Sequence, residues 1–268
     1  MFSVLVLTLN EEVNLPQCLD SISWCDDIWV LDSGSTDRTL EIAESRGCKI
    51  LSRKFDNFGD QRNYAIDKAD FKYPWVFDLD ADERFTPELR EECETMAMLD
   101  EKSAYYCSYK NIMCGKWLKH STGFPVYQMR FHKIGEIRFM PYGHGQKEGD
   151  AQRGIGYLHH PYLHYNFSKG LANWFAKHVQ YGYREALLRI QEDNNPVKII
   201  GLDKVSCRRR LKRWSYHFPA RPLFKFLYVY LVRGGFLEGR AGLHFSLMQA
   251  WAIFVYDSIY KDIKQGSK

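Results

Sequence analysis

The sequence lacks the cysteine patterns that would hold a small domain together. Its seven cysteines are odd in number and contain no C-x-x-C pair. Paired spacings of that kind are typical of structural zinc sites, and an even set of cysteines is typical of disulfide frameworks. The sequence therefore argues against both and favours a reducing compartment.

Long apolar runs are also absent. Residues 241–256 carry no formal charge, but these sixteen residues fall short of the ~20 that a membrane-spanning helix needs. The first nine residues are apolar, yet no basic segment precedes them and Asn10, Glu11 and Glu12 follow. That arrangement is typical of a core strand rather than of a signal peptide. We expect a cytoplasmic protein without a spanning helix.

The positive charge of the chain is concentrated near its C-terminus. The formal net charge is only +4 over 268 residues, but residues 198–240 carry eleven Lys or Arg against two acids. Aromatic residues alternate with these cations, which predicts a helical region lying on the inner face of an anionic membrane. Nucleic acid is the competing partner, but no nucleic-acid-binding motif is present, so we expect none. A helical subdomain packed on the rest of the protein is the plainer alternative.

An acidic cluster follows an apolar strand at Trp75–Phe77. Side chains alternate along a strand, so Asp78, Asp80 and Asp82 would share one face if the extended geometry continued through them. Like charges on one face repel, and a bound Mg²⁺ or Mn²⁺ relieves that repulsion. The pattern predicts a divalent-cation site, with a solvated acidic turn as the alternative.

Two other families place acids in a similar pattern. A calcium-binding EF-hand loop beginning at Asp78 would need Gly at its sixth position and Glu at its twelfth, where this chain has Glu83 and Leu89. That interpretation is excluded. A phosphatase of the haloacid dehalogenase type remains a weak alternative. That family carries its acids near the N-terminus, whereas three strand-and-helix units precede them here.

Strands and helices alternate through the first 80 residues. The predicted strands are 2–8, 28–31, 48–52 and 75–77, and the predicted helices begin at Asn14, follow Asp37 and cover 60–69. This order predicts an α/β fold with a mostly parallel, doubly wound sheet. Ligands of such sheets bind beyond the carboxyl ends of the strands, where the polar segments 8–11, 32–37, 59–63 and 78–83 would converge.

At this point the chain resembles an inverting glycosyltransferase of family 2, which has the GT-A fold and uses a nucleotide-sugar donor. The residues that carry the resemblance are Val4–Glu12, Val30–Asp37, Gly59 with Arg62 and Asn63, and Leu79–Glu83. Later residues, 144–148, 164–165 and 169–170, resemble a bacterial branch that builds lipopolysaccharide core and other surface polysaccharides. The resemblance implies a catalytic domain over 1–190, with a nucleotide-sugar-binding half (1–100) and an acceptor half (101–190), followed by a basic helical region over 191–268.

The resemblance also implies roles for single residues. The nucleoside pocket would be lined by Thr8, Asn10, Glu11 and Asp32, with Arg62 near the base or diphosphate. Asp80 would face ribose and metal and Asp82 would bind the metal. Asp78 departs from the usual position in the family, and capping or orienting the loop is its structural alternative. His164 is a further candidate for the metal or the diphosphate, although a hydrogen-bonded core histidine is the alternative.

Inverting transfer also needs a base that takes a proton from the acceptor hydroxyl. We expect Glu148 to be this base, because it lies in a glycine-rich stretch, predicted to be a loop, in the acceptor half. Asp150 and His144 are the other candidates, and a surface Glu is the structural alternative.

The sequence thus predicts a metal-dependent transferase acting on a lipid-linked glycan or lipopolysaccharide-type acceptor. The resemblance implies a UDP-sugar donor, because UDP is the commonest donor nucleotide of the family. A polyprenyl-phosphate glycosyltransferase is the alternative within the enzyme class, and a nucleotide-sugar-binding membrane scaffold is the alternative outside it.

Overall fold

A computed structural model describes residues 1–142, 145–194, 204–216, 218 and 220–266. The chain forms two compact units. The first unit comprises 1–119 and 124–169, and the second comprises 120–123 and 170–268. The domain boundary expected at residue 190 falls inside a helix, Gly170–Asn194.

The first unit is a mixed α/β structure. Its strands are β1 (Ser3–Thr8), β2 (Ile28–Asp32), β3 (Lys49–Ser52), β4 (Trp75–Asp80), β5 (Glu83–Arg84), β6 (Ala104–Met113), β7 (Lys116–Trp117), β8 (Tyr127–Lys133), β9 (Phe139–Tyr142), β10 (Gly145–Glu148), β11 (Ile155–Tyr157) and β12 (Tyr162–His164). Its helices are α1 (Leu15–Ser21), α2 (Thr39–Ser45), α3 (Phe58–Lys68) and α4 (Pro87–Leu99). The strands and helices predicted for the first 80 residues are confirmed, with bounds that differ by a few residues.

The central sheet has the order β3-β2-β1-β4-β8-β6-β12-β5. The strands β3, β2, β1 and β4 are parallel, as the alternation of strands and helices predicted. Strand β8 then runs antiparallel to both of its neighbours, β4 and β6. The predicted parallel sheet is therefore confirmed for its first half, and the second half is mixed.

Helices cover both faces of the parallel half because alternate side chains point to opposite faces. Val4 and Val6 of β1 belong to the main core together with Leu15 of α1. Leu5, between them, packs on the other face with Ala65 of α3. Apolar side chains therefore cover both faces of β1, which leaves its carboxyl end as the place where polar groups gather.

Over the residues described, the second unit is mainly helical from Gly170 onward. It contains α5 (Gly170–Asn194), α6 (Lys204–Ser215), α7 (Arg221–Leu227), a π-helical turn (Tyr228–Val232), a 3-10 turn (Gly235–Glu238) and α8 (Gly239–Gly266). The predicted C-terminal helical region is thus confirmed. None of the helices in the described part of the chain combines the length and the apolar character required to cross a bilayer.

Candidate active site

The loop after β1 and the loop after β2 are joined through Asp32. The Thr8 hydroxyl donates to Asp32 Oδ1 at 2.9 Å. The other carboxylate oxygen, Oδ2, accepts from the backbone N–H groups of Gly34 (2.9 Å) and Ser35 (2.8 Å). Both Thr8 and Asp32 are buried. Asp32 therefore shapes the turn after β2 and aligns it with the end of β1.

Asn10 and Glu11 extend this connection. Asn10 has a left-handed backbone (φ 54°), and its side-chain Oδ1 accepts from the N–H of Thr36 at 2.8 Å. The N–H of Glu11 donates to the hydroxyl of Thr39 at 2.7 Å. The four residues predicted to line the nucleoside pocket are therefore brought together at one edge of the sheet, where they hold two loops in a single arrangement.

Arg62 of α3 lies against the acidic end of β4. Its Nε donates to Asp78 Oδ2 at 2.9 Å, and its Nη2 is 3.6 Å from Asp80 Oδ1. His132 of β8 approaches the same Asp78 oxygen at 3.3 Å. Burial opposes the charge of Asp78, but His132 and Arg62 outweigh it and hold the pKa of that carboxyl below its usual value. Asp78 thus anchors Arg62 inside the core.

A second arginine, Arg130 of β8, holds Asp80 from the other side. Its Nη2 lies 2.8 Å from Asp80 Oδ2 and 2.6 Å from Glu83 Oε1. Burial opposes ionisation of Asp80, yet the charges of Arg130 and Arg62 keep the pKa of that carboxyl below its ordinary range. Glu83 differs: burial raises its pKa to about 7 despite the opposing charge of Arg130. Two carboxylates that share one guanidinium therefore differ in their tendency to ionise.

Asp82 follows the end of strand β4 and contacts a histidine. Strand β4 ends at Asp80, so the extended geometry does not continue through Asp82. Asp82 Oδ2 instead lies 3.4 Å from His164 Nε2. Burial would lower the pKa of His164, but the carboxylate of Asp82 more than offsets this and the pKa is raised. The condition under which the three acids would share one face, an extended chain through Asp82, is therefore not met.

Glu11 connects the nucleoside loops electrostatically to the acidic turn. Burial raises the pKa of Glu11, and the charge of Asp82 adds to that rise. Lys169 Nζ lies 2.5 Å from Glu11 Oε1, and this contact acts against the rise in the pKa of Glu11. The side chains at the ends of β1 and β4 are therefore close enough to influence each other.

The predicted base candidates lie in the acceptor half. Glu148 is the last residue of β10, which pairs with β9, so the glycine-rich loop predicted around it is wrong for residues 145–148. The carboxylate of Glu148 accepts a hydrogen bond from the hydroxyl of Tyr106. Asp150 follows the strand and is exposed, and His144 lies outside the described residues.

The three residues predicted to bind a metal do not all contact one another. Asp82 and His164 are adjacent, whereas Asp80 is directed toward Arg62 and Arg130. In the portion of the chain that the structure describes, no group of three or more His, Cys, Asp or Glu side chains is arranged to hold a metal ion.

Comparison with known proteins identifies the family. The sequence profile of glycosyl transferase family 2 matches residues 3–155, which is more than half of the chain. The chain belongs to glycosyl transferase family 2. The matched range contains every strand from β1 to β10, together with Thr8, Asp32, Arg62, Asp80 and Asp82.

Relatives of this family 2 member share only part of their length with it. LpsC, a lipopolysaccharide core biosynthesis glycosyltransferase from Rhizobium meliloti, is 33% identical over 105 residues, covering 37% of this chain and 38% of LpsC. An uncharacterized glycosyltransferase from Rickettsia bellii is 31% identical over 104 residues, covering 38% of this chain and 35% of that protein. The match therefore spans little more than a third of either relative.

The fold agrees with that of a solved structure. The crystal structure of residues 1–349 of TarS from S. aureus in complex with UDP has a TM-score of 0.51 and 16% sequence identity, covering 99% of this chain and 91% of that chain. At this identity the likeness concerns the fold alone, and the GT-A fold predicted from the resemblance is confirmed.

Two residues at the site of this family 2 member were not predicted from the sequence. Arg130 and His132 lie in the segment Tyr127–Lys133, in which apolar Met129 and Phe131 alternate with them. That alternation predicts a strand with a basic face. It does not reveal that the face meets the acids of β4, because this pairing joins residues about fifty positions apart.

Proposed function

We propose that the chain is an inverting glycosyltransferase that moves a sugar from a nucleotide-sugar donor, a UDP-sugar, to a lipid-linked glycan or lipopolysaccharide-type acceptor. The observation that carries this proposal is the arrangement at the carboxyl ends of β1, β2 and β4. There Asp32 joins two loops, two buried arginines hold Asp80, and Asp82 lies beside His164. Family membership supports the reaction class, and the complex of TarS with UDP supports the choice of nucleotide.

Donor binding is assigned to the joined loops. Thr8, Asn10, Glu11 and Asp32 would line the pocket for the nucleoside. The hydrogen bond between Thr8 and Asp32, and those that tie Asn10 and Glu11 to the loop after β2 and the start of α2, support this role because they fix the loops before the donor arrives. Arg62 would face the diphosphate. The hydrogen bond from Arg62 Nε to Asp78 holds the guanidinium in one orientation.

A divalent cation, Mg²⁺ or Mn²⁺, is the proposed cofactor. Asp82 Oδ2 and His164 Nε2 lie 3.4 Å apart, which fits two ligands of one ion, since metal–oxygen distances of about 2.1 Å place neighbouring ligands about 3 Å apart. Asp80 is one-third exposed and keeps lone pairs that the arginines do not use. Protein ligands this few suit Mg²⁺, which usually keeps waters and binds substrate phosphates. When bound, the ion offsets the charge that develops on the departing nucleotide.

Glu148 is the proposed base, with Asp150 and His144 as further candidates. The hydroxyl of Tyr106 donates to the Glu148 carboxylate, which would orient one oxygen and leave the other to accept the proton of the acceptor. Displacement on the face opposite the leaving nucleotide would then invert the configuration of the transferred sugar.

We further propose that the basic region 191–268 holds the enzyme at the cytoplasmic face of an anionic membrane, where lipid-linked acceptors are found. Arg210, Leu211 and Trp214 of α6 are exposed, which supports a surface that combines charge with apolar contact.

A screen of UDP-, GDP-, dTDP- and CMP-sugars with Mn²⁺ tests the donor. A ligand that binds only the folded state raises the melting temperature, and we expect UDP-sugars to give the largest rise. Release of UDP from the same donor would then establish an enzyme. Binding without any donor hydrolysis or transfer would instead support a nucleotide-sugar-binding scaffold.

A further inference from the structure

Residues 223–237 of the second unit expose an unusual density of large apolar side chains. The exposed side chains in this segment are Leu223, Phe224, Leu227, Tyr228, Leu231, Val232, Phe236 and Leu237. Val232 is 75% exposed, the largest value among them. Contiguous apolar surface of this kind marks a site of interaction with a protein or a membrane.

The segment is anchored from beneath. Val229 is buried, and a Cβ on Gly235 would lie 2.9 Å from the Val229 carbonyl oxygen. A Cβ on Gly242 of α8 would lie only 1.9 Å from the carbonyl oxygen of Gly235, so the backbones meet where neither residue has a side chain. Because the inner side packs this closely on α8, the apolar side chains of the outer side are held toward solvent.

The exposed charges in and beside this segment are positive. Glu238 is the sole acid in residues 221–256. It is 3% exposed, and its carboxylate accepts from the backbone N–H groups of His120 (2.6 Å) and Ser121 (3.3 Å). Arg233 and Arg240 are exposed nearby in the chain. Because Glu238 is buried, its carboxylate is kept from the surface, where Arg233 and Arg240 are exposed near the apolar side chains.

We propose that residues 223–237 insert into the headgroup region of an anionic bilayer, with Leu231 and Val232 among the inserted residues. This inference rests on the proposed membrane docking and assigns the apolar contact to one element. Tyrosine, phenylalanine and arginine around aliphatic side chains suit the membrane interface. A second copy of the chain fits less well, since it would bring the same cations together without acids between them.

Vesicle flotation of the full chain tests the proposal. The double variant Leu231→Asp with Val232→Asp should reduce partitioning into phosphatidylglycerol vesicles roughly tenfold or more, because burial of an aliphatic side chain is lost at two positions. The matched control is Met98→Asp with Leu99→Asp, another adjacent pair of exposed apolar residues, which lies in the first unit. The control should partition within about twofold of the unchanged protein by the usual behaviour of surface substitutions.

A fluorescence measurement provides a second test that does not depend on a destabilising change. An environment-sensitive dye on Val232→Cys, in a chain with Cys114→Ser and Cys207→Ser, should shift to shorter wavelength when these vesicles are added. Unshifted emission from a chain that floats would overturn the assignment of insertion to 223–237 and leave the docking proposal standing. Failure of the unchanged chain to float would overturn both. A dimer in solution that the double variant disrupts would identify the segment as an interface between copies and would also overturn the proposal.

Discussion

Arg130 donates hydrogen bonds from one guanidinium nitrogen, Nη2, to two carboxylates, Asp80 at 2.8 Å and Glu83 at 2.6 Å. The side chains of Arg130 and Glu83 are almost completely buried, and that of Asp80 is one-third exposed. Asp80 can therefore meet a ligand while its position is fixed from inside the protein. The same arrangement makes Arg130 important to stability, because its removal leaves buried acids without their counter-charge.

Arg130→Met should lower the free energy of unfolding by about 3 kcal/mol or more, since it breaks a buried ion pair on one side only. Urea denaturation at pH 8 measures this. Arg138→Met is the control, because Arg138 forms an ion pair with Asp67 in which both side chains are about half exposed. Such a surface pair contributes at most about 1 kcal/mol. Equal effects of the two changes would contradict the structural role of Arg130.

Asp82→Asn should abolish transfer and the metal-dependent part of donor binding while the fold is retained. Asparagine has the same shape and keeps an oxygen facing His164, but it lacks the charge that a divalent cation requires. Calorimetry of donor binding with and without Mn²⁺ separates the two contributions. Asp70→Asn, at an exposed position, is the control. Full turnover of the unchanged protein in excess EDTA would count against the proposed metal.

Glu148→Gln should lower turnover by roughly 100- to 10,000-fold, the usual contribution of a general base, and leave donor affinity almost unchanged. Glu101→Gln, at an exposed position, serves as the control. Steady-state kinetics with a hydroxyl acceptor is the measurement. Activity within a few-fold of the original would show that Glu148 is not the base. Asp150 would then be the next candidate, or the acceptor would be a phosphate such as a polyprenyl phosphate, which needs no strong base.

Asp32→Ala should weaken binding of the donor nucleotide by about tenfold or more, because the two N–H groups and the Thr8 hydroxyl that it accepts from would lose their shared partner. Titration calorimetry with UDP measures the change. Asp20→Ala is a suitable comparison, since the side chain of Asp20 forms an exposed ion pair with Arg46. Unchanged affinity for UDP would contradict the assignment of Asp32 to the nucleotide pocket.

Local sequence patterns predicted the parallel half of the sheet with accuracy. An apolar run such as Ser3–Thr8 has few alternatives to a buried strand, and Pro16 favours the first turn of α1. The placement of polar groups at strand ends follows from the same alternation. The C-terminal helices were also predictable as helices.

Other features depended on contacts between distant positions. The extended geometry expected through Asp82 ends at Asp80, because the N–H of Asp80 donates to the buried carboxylate of Glu83 and the chain turns there. The strand that contains Glu148 forms through pairing with β9, a partner that its glycine-rich sequence does not specify.

The sequence by itself determined the order of strands and helices, the loops that carry Thr8, Asp32 and Asp82, and the concentration of cations near the C-terminus. These properties are local, because periodicity and capping act within a few residues. The tertiary structure alone decided that Arg130 meets Asp80 and that Glu238, next to the apolar segment, is buried. Both contacts require strands or helices to pack across long separations in sequence, and burial then sets which charges are paired and which face solvent.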